Sequence, residues 1–269
     1  MDTGATGQPD LAASFLHPGV AMAYQHRPPY PPEVFDVLVQ LITDRPGTVL
    51  DLGAGEGALA RPLAALVDRV DALDVSEAMI AAGQRRPGGG HQNLRWIVGA
   101  VESAPLDGPY ALVTAGASMH WMNLQLTLPR LAAAMSPGAY LAIVEHGARD
   151  DPWRLALADI VRRHSRSNSY DAAFGVVDAL SASGLWDETG RVRTAPAPFR
   201  QRLADYVEAL HSTSSLAREL MPAEESAVFD GAVEDVVAPY ADDGVLELTV
   251  VADIAWGTIV AGETPADGR

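Results

Sequence analysis

Between residues 48 and 145 five short apolar runs alternate with stretches whose apolar residues recur at helical spacing, and few folds accommodate that alternation. The runs cover 48–52, 70–75, 94–98, 110–115 and 140–145; the stretches between them predict helices over 58–67, 77–85 and about 124–135. A run that is apolar on both faces belongs in a parallel sheet covered by helices on each side, because a half-exposed strand would alternate apolar with polar residues. Pro87-Gly88-Gly89-Gly90 and Pro137-Gly138 punctuate the pattern. Upstream, Val34, Val37, Leu38, Leu41 and Ile42 give helical spacing over 33–43.

Beyond residue 150 the pattern changes. Helices are predicted over 152–164 and 172–183, and a strand over 190–196. Residues 200–240 read as helical throughout, broken at Pro222 and Pro239, before a long strand at 245–260. An insertion of about forty residues between two strands exceeds an ordinary connection. At the other end, residues 1–13 are small and polar and are expected to be mobile. Residues 14–32 carry Tyr24, His26, Arg27, Tyr30 and prolines at 28, 29, 31 and 32, which predicts an extended, stiff segment.

Composition narrows the class. The 269 residues suit one core domain with a smaller appended or inserted piece. Nineteen basic against 35 acidic residues give a net charge of −16, and such a surface repels phosphate backbones and anionic membranes. Neither nucleic acid nor a membrane is therefore an expected partner. Every basic residue is arginine, so no Schiff-base, pyridoxal-phosphate or Walker-type lysine exists. There is no cysteine, which removes disulfides, thiolate nucleophiles and cysteine zinc sites. The seven histidines lack His-x-x-x-His spacing, so no metal is expected. The start Met1-Asp2-Thr3-Gly4 lacks the order of a signal peptide and no apolar run reaches membrane-spanning length, so a cytoplasmic protein is expected.

The first strand runs into Gly53-Ala54-Gly55-Glu56-Gly57 and then a helix, the place where an α/β sheet binds a nucleotide-like ligand. Gly53 and Gly55 let backbone approach a ligand, but Gly53-x-Gly55-x-x-Ala58 also fits the dinucleotide fingerprint. Asp51 bears on the choice. A pyrophosphate at this turn would be opposed by a carboxylate two residues before the first glycine, whereas a cationic ligand would be favoured; the alternative is that Asp51 caps the turn. Asp74 ends the second strand, where a carboxylate can accept both ribose hydroxyls. Its other reading is a helix cap, a role that Ser76 already suits.

These residues resemble the class I S-adenosylmethionine-dependent methyltransferases. Residues 49–57 match that family's first motif and Leu73-Asp74-Val75-Ser76-x-x-Met79 its second. Residues 99–106 resemble the third motif and Tyr110-Ala111-Leu112-Val113 the fourth. His120-Trp121 and Tyr24-x-x-Arg27-Pro28-x-Tyr30-Pro31 further resemble the trans-aconitate methyltransferase-like, type 11 branch.

The resemblance implies a Rossmann-like, doubly wound seven-stranded sheet, mostly parallel with an antiparallel last strand, plus a helical substrate lid. The implied parts are an N-terminal lid segment (1–32), a core (33–199 with 241–269) and the lid insertion (200–240). It implies S-adenosyl-L-methionine as cofactor and S-adenosyl-L-homocysteine as product. The binding set would be Tyr24, Arg27, Asp51, Gly53, Ala54, Gly55, Asp74, Val75, Met79, Ala100, Val101, Glu102 and Ala115. Ala100 stands where the family often has an acid for the adenine amino group, so the Val101 backbone, Val75 and Met79 are expected to hold the ring.

Methyl transfer is a displacement at a sulfonium methyl, in which some acceptors need a base. His120, after the fourth strand, is the leading catalytic candidate, with a structural role as its alternative; Trp121 would pack on the substrate or in the core. Glu145-His146 is a lesser candidate. The expected partner is a small-molecule acceptor in specialised metabolism, the protein being a monomer or homodimer. The alternatives are a non-methylating reaction such as a cyclisation, a non-catalytic scaffold, and an NAD-dependent oxidoreductase, against which Asp51 argues.

Overall fold

A computed structural model describes residue 15 and residues 17–149, 151–166 and 175–260. The expectation for 1–13 lies outside the described residues, as do 172–174 of the helix expected at 172–183. Nine α-helices and eight strands are formed by the described residues. The chain divides into two compact units. One takes in 30–147, 173–196 and 251–269, and the other 1–29, 148–172 and 197–250.

The first unit holds the parallel strands β1 (Thr48–Leu52), β2 (Arg69–Asp74), β3 (Leu94–Val98), β4 (Tyr110–Gly116) and β5 (Met135–Ala148). β1 pairs in parallel with both β2 and β4, β2 with β3, and β4 with β5. The sheet order is β3-β2-β1-β4-β5-β8-β6, so the winding reverses between β1 and β4. All five residues of β1 are buried, as the continuous apolar run predicts. The period-two pleat sends alternate residues to opposite faces. Val49, Val70, Leu112 and Ala142 pack beneath α2 (Glu33–Gln40) and α3 (Ala60–Ala64). Leu50, Leu52, Leu73, Val113 and Leu141 pack with α5 (Leu124–Ala134) and α7 (Val176–Ala182). Each such side chain, fully buried, contributes about 1.5–3 kcal/mol.

Helix α4 (Glu77–Arg85) starts at Ser76, whose hydroxyl accepts from the Met79 amide at 3.2 Å. It is seated through Gly83. A Cβ built there would lie 2.5 Å from Trp96 Cη2 and 2.6 Å from the Glu56 carbonyl oxygen. Gly83→Ala is therefore expected to destabilise the chain by about 1–3 kcal/mol, the usual range for overpacking. Thermal melts would read this as a fall of several degrees, and an unchanged melt would show that the helix can shift at no cost.

β6 (Trp186–Arg193) pairs antiparallel with the later part of β8 (Val245–Ile259). The sheet has one strand more than the sequence suggests. Ala197–Arg202 is β7, antiparallel to the first part of β8, where helix was expected from residue 200. Its exposure alternates, Phe199 and Gln201 being turned inward and Arg200 and Arg202 outward.

The second unit contains α1 (Pro18–Tyr24), α6 (Arg154–His164), α8 (Leu203–His211) and α9 (Ala223–Val237), with β7 and the start of β8. Its own core gathers Trp153, Ile160, Tyr206, Leu216, Phe229, Val233 and Leu246. Pro222 stands at the N-cap of α9 and Pro239 sits in a short 3-10 helix, while 212–222 holds two short 3-10 helices, Ser214–Leu216 and Arg218–Leu220, rather than a continuous α-helix. The stiff segment expected at 14–32 is also corrected, since 18–24 is helical. Pro18 is tolerated because it opens the helix, where its missing N–H has no partner to lose.

Candidate active site

The turn after β1 has positive φ at Gly53 (59°) and Gly55 (58°), a conformation that side chains disfavour. A Cβ at Gly53 would also meet Ser118 Cβ at 2.6 Å. Ser118 fastens this end of the sheet by donating its hydroxyl to the Leu52 carbonyl at 2.6 Å. The Ala54 amide donates to the Leu73 carbonyl at 3.0 Å, which ties the turn to β2.

Asp74 is the acid at this turn. Its Oδ2 accepts from the Gly55 amide at 2.7 Å and its Oδ1 from the Ser76 amide at 2.8 Å. Burial pushes its carboxyl above the usual range, against which these amides act. An ionised carboxylate has about four acceptor positions. The Gly55 and Ser76 amides use one position on each oxygen and the Val75 amide also acts on the group, which leaves acceptor capacity for a hydroxyl. Val75, next in sequence, and Val98, paired with Asp74 across β3, are each about half exposed (53% and 51%). Two apolar side chains left open beside a held carboxylate suit an adenosine. By the chemistry of these groups the residues present fit that part of S-adenosylmethionine.

Asp51 occupies a different environment. It is 1% exposed and lies directly opposite Thr114 on β4, whose hydroxyl donates to Oδ1 at 2.8 Å. Burial, the dominant cause, pushes its carboxyl up to about 7, the Thr114 hydroxyl and the Ala60 amide act the other way, and the charge of Asp74 adds to the rise. Met79 is buried, with its methyl 3.2 Å from where a Gly55 Cβ would be.

Ala100, Val101 and Glu102 form the turn after β3. The Ala100 carbonyl accepts from the Ser103 and Ala104 amides. Arg130 of α5 donates to the Val101 carbonyl at 3.0 Å and to the Ala104 carbonyl at 2.6 Å. Glu102 accepts from the Asn123 amide at 3.0 Å. Ala115 is wholly buried, backbone included, between Leu52 of β1 and Ile143 of β5. His120 and Trp121 lie on an exposed 3-10 turn with ring centroids 4.6 Å apart.

Tyr24 and Arg27 belong to the second unit. Arg27 donates to the Ser212 hydroxyl at 2.7 Å, the Ser212 carbonyl at 3.1 Å and the Tyr24 hydroxyl at 3.1 Å, and its guanidinium lies 4.1 Å from the Tyr24 ring centroid.

Residues 49–138 match the model of a methyltransferase domain. The chain is 27% identical over 192 residues to an uncharacterized methyltransferase of Mycobacterium tuberculosis (strain H37Rv), covering 70% of this chain and 87% of that one. Among solved structures, one from Anaeromyxobacter dehalogenans is 24% identical with a TM-score of 0.59, over 86% of this chain and 96% of that one. A methyltransferase from Thiobacillus denitrificans, in complex with S-adenosyl-L-homocysteine, is 16% identical with a TM-score of 0.54, over 90% and 97%. These two likenesses establish the shared Rossmann-like fold.

Several residues that shape this end of the domain were not singled out from sequence, notably Thr114, Ser118 and Arg130. Thr114 had a signal, being the one polar residue in the apolar run at 110–115 apart from the Tyr110 hydroxyl. Ser118 and Arg130 had none, because their partners lie 66 and 29 residues away.

Proposed function

We propose that the chain transfers a methyl group from S-adenosylmethionine to a small-molecule acceptor in specialised metabolism, in the cytoplasm. The observation that carries the reading is the Asp74 carboxylate, held by two amides at the glycine turn between the half-exposed Val75 and Val98. The proposed cofactor contacts are Asp74 to a ribose hydroxyl, and Val75 and Met79 with the 100–102 turn to the adenine. Backbone at Gly53, Ala54 and Gly55 would lie along the rest, with Asp51 supplying negative charge for the ammonium. The complex of the Thiobacillus denitrificans protein with S-adenosyl-L-homocysteine supports this reading.

The cofactor supplies a methyl group activated on a positively charged sulfur; the chain's part is to align the acceptor and keep water out. His120 and Trp121 are proposed to meet the acceptor. The helices within 200–240 are proposed to select it. The net charge of −16 favours a small acceptor over a nucleic acid.

Thermal shift and calorimetry test the donor directly. S-Adenosyl-L-homocysteine is expected to bind one to one and to raise the melting temperature, by about 2.7 kcal/mol of stability at a hundred times its Kd. NADH is expected to do neither. Stabilisation by NADH alone would replace this reading with an oxidoreductase.

A further inference from the structure

A second constellation stands at the carboxyl edge of the sheet. β4 and β5 pair in parallel as far as Gly116 opposite Val144, so His146 lies two residues past the last pair, on the same edge as Gly53. Tyr30, 9% exposed, lies on the end of β4. A Cβ on Gly116 would run into the Tyr30 hydroxyl and come 2.9 Å from Leu59 Cδ1, so glycine is what admits the phenol here. His146 stacks on the Tyr30 ring with centroids 3.8 Å apart. Ala117, the next residue, is held at φ 50°, a costly conformation for alanine. A bare strand end, a stacked imidazole and a strained residue thus meet beside the point where the winding reverses, where open α/β sheets take their ligands.

We propose that His146, backed by the Tyr30 ring, is the base that takes the proton from the methyl acceptor, which is therefore a hydroxyl, an amine or an acidic C–H rather than a carboxylate. This rests on the methyl-transfer reading above. As the acceptor's electron pair forms the bond to the methyl carbon, the methyl–sulfur pair stays on sulfur, and the acceptor's proton passes to His146. Nδ1 is shielded from solvent. The face of the Tyr30 ring favours the imidazolium that results. Tyr30 is a positioning residue in this scheme. His120 is less suited to the step, because on its exposed turn water competes for the same proton.

The test needs no acceptor. S-Adenosylmethionine and S-adenosyl-L-homocysteine share the ammonium, carboxylate and adenosine; only the former carries the sulfonium charge, on which Asp51 and Asp74 act equally in the wild-type chain and in the variants, so the difference between the wild-type chain and His146→Asn isolates His146. A protonated imidazole beside the transfer point repels that charge; Tyr30 lies on its face and Glu145 precedes it in the chain. Calorimetric titration of both ligands into the full chain at pH 8.0 and 5.5 reads the difference. The ratio of their Kd values is expected to rise about five- to tenfold on acidification in the wild-type chain.

His146→Asn, or His146→Gln should Asn fold poorly, is expected to hold the ratio within about twofold. Either variant should keep the homocysteine Kd at pH 8.0 near wild type. Tyr30→Phe should behave as wild type and Tyr30→Leu should show a smaller rise. A flat ratio in the wild type, or a rise that survives in His146→Asn, overturns the proposal. If the wild-type chain fails to bind S-adenosyl-L-homocysteine at all, the methyl-donor reading itself has failed, which is a different observation from a flat ratio.

Discussion

Asp51→Asn should make the protein more stable than the wild-type chain at pH 8 and no more stable at pH 4. The folded-state carboxyl is raised from 3.8 to about 7, chiefly by burial. A carboxyl raised in the folded state binds its proton more tightly there than in the unfolded chain. Stability from this group is therefore greatest below pH 4 and is lost as pH rises towards 7. A shift of about three units sets an upper bound of roughly 4 kcal/mol on the loss. Asparagine keeps an oxygen for the Thr114 hydroxyl and carries no charge, so the loss should vanish. Urea melts of both proteins at the two pH values isolate the effect, because the other carboxylates cancel in the difference. A variant equally stable relative to wild type at both pH values would mean that the Asp51 carboxyl titrates alike in the folded and the unfolded chain. The same substitution is expected to weaken binding of S-adenosyl-L-homocysteine, because the ammonium loses its counter-charge. A buried acid that costs stability and serves a ligand is an ordinary exchange at a site.

Asp74→Ala is expected to weaken S-adenosyl-L-homocysteine binding by at least about tenfold in calorimetry. A hydroxyl partner is lost, a hydrogen bond to a charged group being worth about 1.5–3 kcal/mol. The Gly55 and Ser76 amides are released at the same time, so the turn itself loosens. Asp74→Asn separates the two effects. Its single carbonyl oxygen can accept from only part of the set, and the affinity should fall between wild type and alanine. An alanine variant that binds as tightly as wild type would remove Asp74 from the site.

The strands of the first unit were legible because burial on both faces leaves a mostly apolar run, as at 48–52 and 110–115. β7 was not read as a strand, although Phe199 and Gln201 alternate with Arg200 and Arg202, because its two inward residues are too few to oppose the helical reading that follows. The four prolines at 28–32 likewise concealed the helix at 18–24, since the stiffness they impose on their own stretch was extended to the residues before it. At the site, the nearness of Asp74 to the glycine turn could be read, since one βα unit brings them together. The Asp51–Thr114 pair could not, because it depends on the register of β1 against β4, sixty-three residues apart in the chain. Tyr30 and His146 are further apart still, and only the missing side chain of Gly116 lets them meet.

The segments of the second unit, 1–29, 148–172 and 197–250, have a consequence for biosynthesis. The ribosome releases residues 48–148, with the five parallel strands, as one uninterrupted stretch, able to begin pairing while translation continues. The helical unit must wait until β8 is made, since β7 has no partner strand before then. A polypeptide halted near residue 200 would thus hold an early helix, α1, whose companions α8 and α9 do not yet exist. A chain halted before 197–250 is made would leave apolar side chains of the helical unit such as Trp153 and Ile160 uncovered.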